Sequence, residues 1–403
     1  MVTLNAMCSH LLAAACALFL LATQSLAGAK EEIAALAPSG LVLVLDEQGN
    51  ELVAHNADQA FGPASVAKIV TAWLAMEVLG KDHRFETRLY LDDDRVLYAR
   101  GGGDPFLVSE ELMLLASKLV EIIGKEPIKG IVLDTSHYPA ALRIPGIEND
   151  SEAYNAPNAA LAANFNTINA VRKGKTVRSA EKQTPITPVA IAQFRARGPA
   201  GRGRISLPQD DLSVSALYAG ELLAAFIEKA GGSVEGDISI GMVADGLEPV
   251  YVHRQSRDLA EILTLMLLGS NNYIANQVFL EIGAQRLGAP VSLEKSLQVA
   301  GEMLAEHGLA DAIILQEGSG ISSENKFTAR GLAKLLHHFA PRAELLRKNK
   351  AGSRYKTGTI PGVRTLAGYA ATSDNGLVRF VIALGGETGK TRFRVLRAIE
   401  RGL

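Results

Sequence analysis

The chain has 403 residues, of which 48% are hydrophobic and 21% charged, so it can bury a large core and is too long to be one small domain. Its 41 basic and 43 acidic side chains leave a net charge of -2, which gives no electrostatic case for nucleic acid as a partner. Residues 1–29 contain no Asp, Glu, Lys or Arg, and Leu11 to Ala22 is an almost unbroken apolar run followed by Gln24-Ser-Leu-Ala27. That pattern predicts a secretory leader over 1–27, although the usual positive amino-terminal region is missing. Cys8 and Cys16 both fall inside it, so the remaining chain has no thiol for a disulfide, a metal site or a nucleophile.

Lys30 to Leu36 reads as a short helix, and Gly40 to Asp46 with Glu51 to His55 as a hairpin. Phe61-Gly-Pro-Ala-Ser65-Val-Ala-Lys68 then leads into Ile69 to Gly80, apolar around most of a helix circumference, with Ser65 standing where a cap would stand. A second hairpin (Thr87 to Leu91, Val96 to Arg100), the turn Gly101-Gly-Gly-Asp-Pro105, a helix (Glu110 to Ile123) and a strand (Ile131 to Asp134) follow. Residues 135–165 read as loop, and the basic, turn-rich stretch 173–212 as a solvated surface excursion. A helix over Val214 to Ala230 and strands near Ser233 to Ile240 and Val250 to His253 close this middle part. Beyond it come helices over Leu259 to Leu268, Tyr273 to Leu287, Leu293 to His307 and Ala329 to Phe339. Two strands (Arg364 to Thr372, Leu377 to Leu384) and a basic amphipathic helix from Arg392 end the chain. That helix reads better as packed on the strands through Leu396, Ile399 and Leu403 than as a membrane-surface anchor.

Ser65 and Lys68 are three residues apart, so a helical turn places hydroxyl and amine on one face. A serine is a nucleophile only beside a base, and a lysine is a base only where apolar burial lowers its pKa. Val66, Ala67, Ile69 and Val70 offer that burial. Ser-x-x-Lys also begins at Ser179, Ser292, Ser323 and Ser353. Ser179 lies in a polar run, and Ser292 reads as a plain helix cap whose Lys295 has Glu294 beside it. Two further polar elements stand out: Ser270-Asn271-Asn272 at a break between helices, and Lys356-Thr357-Gly358-Thr359, where Gly358 lets backbone lie close to a ligand. Ser-Asp-Asn at Ser373 is better read as turn chemistry. His337-His338 reads as helix surface, and no spacing among the eight histidines suggests a metal site.

Taken in order, Ser65-x-x-Lys68, Ser270-x-Asn272 and Lys356-Thr357-Gly358 are similar to the three motifs of the serine penicillin-binding proteins and β-lactamases. The long stretch between the first two, with Gly101-Gly-Gly-Asp-Pro105, Asn164-Phe-Asn-Thr167, Gly318-Ser-Gly320 and Lys356 to Arg364, resembles the D-alanyl-D-alanine carboxypeptidase/endopeptidase family (peptidase S13, low-molecular-mass class C penicillin-binding proteins). The resemblance implies an α/β (α+β) fold: a serine transpeptidase/β-lactamase-like domain from residues 28–84 and 253–403, split by a large inserted domain over 85–252. It implies a metal-free, cofactor-free hydrolase of the periplasm. Its partners would be peptidoglycan peptides ending in or cross-linked through D-Ala, and β-lactams would be covalent inhibitors.

In that family's chemistry Ser65 is the nucleophile and Lys68 its base, Ser270 relays a proton to the departing amine, and Asn272 holds substrate backbone or the lysine. Lys356 and Thr357 bind the terminal carboxylate, Gly358 admits the substrate, and the N–H groups of Ser65 and Thr359 form the oxyanion hole. Pocket contacts from the inserted domain are expected near Asn164 to Asn169. A β-lactamase of the same fold would instead turn over nitrocefin quickly, and a non-catalytic wall-binding homologue would leave Ser65 unlabelled by penicillin. A phosphate-binding loop at Gly385 to Thr391 lacks its first glycine, since Leu384 occupies that place.

Overall fold

The computed structural model describes residues 27–373, 375–386 and 389–403, so most of the leader expected over 1–27, with both cysteines, lies outside the described part. The chain forms two compact units. The first runs to Ile69 and takes in Gly308–Ile314 and Glu324–Leu403; the second is Val70–His307 with Leu315–Ser323.

In chain order, the first unit opens with helix α1 (27–36), strands β1 (Leu41–Leu45), β2 (Glu51–His55) and β3 (Ala60–Phe61), a 3-10 turn at Ala64–Ala67, and the start of α2 (Lys68–Val78). The second unit contributes β4 (Glu86–Leu91), β5 (Val96–Gly101), α3 (Ser109–Ile123), β6 (Gly130–Asp134), β7 (Thr167–Lys173), β8 (Thr176–Ser179), α4 (Pro188–Arg197), β9 (Gly201–Ser206), α5 (Ser213–Lys229), β10 (Ile238–Ile240) and β11 (Tyr251–Arg254). It continues through α6 (Leu259–Gly269), α7 (Asn272–Leu287) and α8 (Leu293–Glu306). The first unit resumes with β12 (Ile313–Ile314), β13 (Lys326–Thr328), α9 (Ala329–Phe339), β14 (Arg347–Lys348), β15 (Arg354–Ile360), β16 (Val363–Ala371), β17 (Leu377–Gly385) and α10 (Thr391–Gly402).

The first unit is a six-stranded antiparallel sheet, ordered β14-β15-β16-β17-β1-β2, so the amino-terminal hairpin docks on the carboxy-terminal strands. Alternation along each strand sends Val42, Val44, Leu366, Ala370, Phe380 and Ile382 to one face, where they pack with Ile33 of α1, with Val395, Leu396 and Ile399 of α10, and with Leu403 just beyond it. The terminal helix is thus a core element, as its apolar stripe predicts. The opposite face carries α9, whose Leu336 carbonyl accepts from the buried Tyr369 hydroxyl at 2.6 Å.

The second unit holds a five-stranded sheet, ordered β10-β6-β5-β4-β11, with α3 and α5 over its core and a separate sheet ordered β8-β7-β9. That small sheet corrects the reading of 173–212 as a solvated excursion. Val177, Phe194 and Ile205 are buried there, and α4 is capped by Thr187 accepting from Ala190 N. The inward positions of β9 are occupied partly by glycine, and a side chain at Gly203 would meet Pro199 and the Phe194 ring. A polar lock ties β11 to α3: His253 Nε2 meets Glu111 Oε1 at 2.8 Å, both buried, and Ser256 donates to the same carboxylate. Gly103 of the Gly-Gly-Gly-Asp-Pro turn has φ 72°, the left-handed geometry expected of it.

Candidate active site

Ser65 stands inside the 3-10 turn Ala64–Ala67 and is not the helix cap its position suggested; the turn's N-cap is Pro63, without a side-chain cap bond. Its hydroxyl oxygen accepts from Lys68 Nζ at 3.0 Å instead. Lys68 is fully buried, and its chain neighbours Val66, Ala67, Ile69 and Val70 are likewise without exposed surface. Ala64, immediately before the serine, has φ 49°, a conformation that costs an L-residue roughly 1–3 kcal/mol and persists only where surroundings impose it.

Those surroundings belong to the first unit. Pro63 O accepts from Thr365 Oγ1 of β16 at 2.8 Å. Across the β15–β16 ladder Thr365 pairs with Gly358, and a Cβ on Gly358 would lie 2.1 Å from Thr365 Oγ1, 2.8 Å from Pro63 O and 2.9 Å from the Ala64 Cβ. The Lys-Thr-Gly-Thr segment itself lies within β15, ahead of the strand expected from Arg364, and it touches the strained serine turn because residue 358 has no side chain.

Lys356 is buried on that strand and donates to Thr357 O at 2.7 Å. Burial, reinforced by the charges of Arg392 and Arg347, brings its pKa down to about 7. An ammonium so reluctant to hold its proton gains much from an incoming carboxylate. Thr357 is half-buried and Thr359 exposed.

Ser270 and Asn272 belong to the second unit. Ser270 ends α6 with φ 53° and ψ 38°, a left-handed serine at the break between two helices. Asn271 caps α7 by accepting from Ile274 N, which assigns it a structural role. Asn272 opens α7, and its amide donates to Tyr154 O at 3.1 Å. One turn on, Asn158 donates to Tyr273 O and Gln277 Oε1, and Gln277 Nε2 donates to Ala159 O, stitching the irregular 135–163 segment to this helix. Asn276 accepts from Gly318 N at 2.7 Å, whose carbonyl in turn accepts from Thr71 Oγ1. Within Asn164 to Asn169, Asn164 bonds Ser109 and Asn166 bonds Pro157 O and Ser215, so these two buried amides support the loop.

The other Ser-x-x-Lys pairs have different surroundings. Ser292 Oγ caps α8 by accepting from Lys295 N, and Lys295 Nζ donates to Gly288 O and Pro290 O. Ser353 donates to Glu400, and its odd spacing from Lys356 along an extended chain turns the two side chains apart. Ser319, in the Gly318-Ser-Gly320 loop, donates to Glu317.

Residues 23–201 and 209–351 match the D-Ala-D-Ala carboxypeptidase 3 (S13) family, which is more than half the chain. The chain belongs to that family. Among its relatives, the D-alanyl-D-alanine carboxypeptidase of Actinomadura sp. (strain R39) is 28% identical, covering 90% of this chain and 80% of the relative. The crystal structure of penicillin binding protein 4 (dacB) from Haemophilus influenzae has the same fold, with TM-score 0.75 at 20% identity over 92% of this chain and 98% of that one. The same protein complexed with a β-lactam superposes with TM-score 0.70. A predatory peptidoglycan endopeptidase from Bdellovibrio bacteriovorus is more distant, with TM-score 0.52 at 17% identity over 89% and 90% of the two chains.

Proposed function

We propose that this S13 protein is a serine-type D-Ala-D-Ala carboxypeptidase, DD-endopeptidase or both, acting on peptidoglycan stem peptides through an acyl-serine and acylated at the same serine by β-lactams. The observation that carries it is the buried Lys68 Nζ 3.0 Å from Ser65 Oγ, on a 3-10 turn entered through the left-handed Ala64 and pressed against a Lys-Thr-Gly strand.

With its amine uncharged, Lys68 accepts the hydroxyl proton as Ser65 Oγ bonds to the carbonyl carbon of the penultimate D-Ala. The developing oxyanion is met by the N–H groups of Ser65 and Thr359, each such donor contributing about 3–4 kcal/mol. Collapse of the adduct breaks the C–N bond, the leaving D-Ala amine takes a proton relayed by Ser270, and Asn272 orients substrate amide or lysine. Water then cleaves the ester and returns the proton to Ser65. Lys356, with Thr357, holds the terminal carboxylate, and Gly358 keeps the strand open to substrate backbone. The motif order also supports a transpeptidase-like domain split by an inserted one over 85–252.

Secretion to the periplasm, directed by the apolar leader, accords with a substrate in the cell wall. Among the described residues no helix is long and apolar enough to cross a membrane.

Fluorescent-penicillin labelling of the wild type beside Ser65→Ala, followed by product analysis on purified muropeptides, tests this reading. Labelling lost in the variant and release of D-Ala or of cleaved cross-links support it. A label that survives Ser65→Ala sinks it.

A further inference from the structure

Arg392, in the first turn of α10, presents a guanidinium to the Lys-Thr-Gly-Thr strand. Its Nη1 donates to Gly358 O at 2.6 Å, to Thr365 O at 3.1 Å and to Thr359 Oγ1 at 3.3 Å. One nitrogen thus spans the β15–β16 rung at Gly358↔Thr365, whose Thr365 hydroxyl also donates to the carbonyl of the serine turn. The position is an unfavourable one for a cation: the first turn of a helix is its positive end, Arg364 lies close enough to disfavour the charge further, and the buried Nε has no hydrogen-bond partner among the described residues. Bonds to two carbonyls and a hydroxyl require only a neutral donor, so holding the strand does not explain a charge kept against such opposition.

We infer that Arg392 is a positioning residue for the acylation site, holding Thr359 so that its amide N–H faces the oxyanion and its hydroxyl proton faces the substrate carboxylate. An Oγ1 that accepts from a guanidinium has its own hydrogen left to donate outward, and the backbone at 358–359 is pinned at the rung nearest the serine turn. The charge also lies near Lys356, where it adds to the effect of burial in favouring the neutral amine. The permanent guanidinium charge attracts an anionic terminus, whose arrival offsets that effect and favours the protonated Lys356, which explains keeping the charge. The inference rests on the functional reading above, because Thr359 has an oxyanion to face only if Ser65 is acylated.

The test compares wild type, Arg392→Gln and Arg392→Lys in benzylpenicillin acylation rate, in kcat and KM on a D-Ala-D-Ala peptide, and in the pH profile of kcat/KM. The expected result for Arg392→Gln is acylation and kcat each down about tenfold or more, KM raised, and the alkaline limb moved to higher pH as Lys356 loses a neighbouring cation. Arg392→Lys restores the limb and part of the rate. A purely structural arginine would lower Tm in both variants and leave the limb in place. Rates within twofold of wild type with an unmoved limb would overturn the inference while leaving the peptidase intact. A wild type that penicillin does not label at Ser65 would overturn both. Should Arg392→Gln fail to fold, Arg392→Lys with a wild-type acylation rate and kcat is enough to reject the positioning role, because a single ammonium cannot reproduce the guanidinium's contacts to Gly358, Thr359 and Thr365.

Discussion

Replacing Gly358 with Ala adds one methyl group at the point where the Lys-Thr-Gly strand meets the serine turn. The new Cβ would fall 2.1 Å from Thr365 Oγ1, 2.8 Å from Pro63 O and 2.9 Å from the Ala64 Cβ, and no unusual φ at Gly358 adds backbone strain. Thr365 can rotate away, but it then loses its bond to Pro63 O, a loss of about 1 kcal/mol. Pro63 and Ala64 can yield only by moving the turn that carries Ser65, and overpacking of that kind costs about 1–3 kcal/mol. The expected total is about 2–4 kcal/mol of stability. Acylation should slow by a larger factor than stability alone accounts for, because the residue displaced is next to Ser65, the proposed nucleophile. Urea unfolding and the second-order rate of benzylpenicillin acylation measure the two effects. A variant with an unchanged urea midpoint and wild-type acylation would refute the packing argument, since the methyl would then have room the geometry denies it.

Lys68→Met should leave stability equal or higher, because a buried amine is replaced by an apolar chain, while acylation falls by roughly 10²–10⁴-fold with the loss of a general base; thermal unfolding and labelling kinetics check both. Lys356 has a pKa lowered from 10.5 to about 7, so it is charged below that pH and progressively neutral above it. For a substrate with a free carboxylate, kcat/KM should therefore fall as pH rises through about 7, and Lys356→Arg should remove that limb. In the second unit, burial raises Asp104 to about 6 despite bonds from Phe106 N and Gln255. Between about pH 4 and 6 the native state then binds more protons than the unfolded one, so this group lowers stability as pH rises through that window, its cost being complete above 6. Asp104→Asn should flatten the corresponding slope in denaturant titrations. Breaking the buried His253–Glu111 pair with Glu111→Ala should cost roughly 3–5 kcal/mol, read from the urea midpoint.

The Ser65–Lys68 pair was legible because its signal is local: a hydroxyl and an amine three residues apart, with apolar neighbours on both sides. The structure refines that to a 3-10 turn with a strained Ala64, which no propensity announces. Lys356 to Thr359 was legible as a motif but not as a strand, since Lys-Thr-Gly-Thr has little apolar alternation and its pairing with Val363–Ala371 only shows once the ladder is formed. Residues 173–212 misled for a related reason. The inward side of Gly201-Arg-Gly-Arg204 is partly glycine, so only the outward arginines carried a sequence pattern. Thr365 and Arg392 gave no signal at all, because their roles depend on contacts with Pro63 and Gly358 that lie 302 and 34 residues away. The same applies to Gln277 and Asn158, whose amides meet across 119 residues.

Intact-protein mass spectrometry after benzylpenicillin treatment, followed by mapping of the modified peptide, tests the proposed nucleophile directly. The account predicts one penicilloyl group per chain on the peptide containing Ser65, and none on Ser65→Ala. An adduct on the peptide of Ser270, Ser292 or Ser353, or none on the folded wild type, would contradict it.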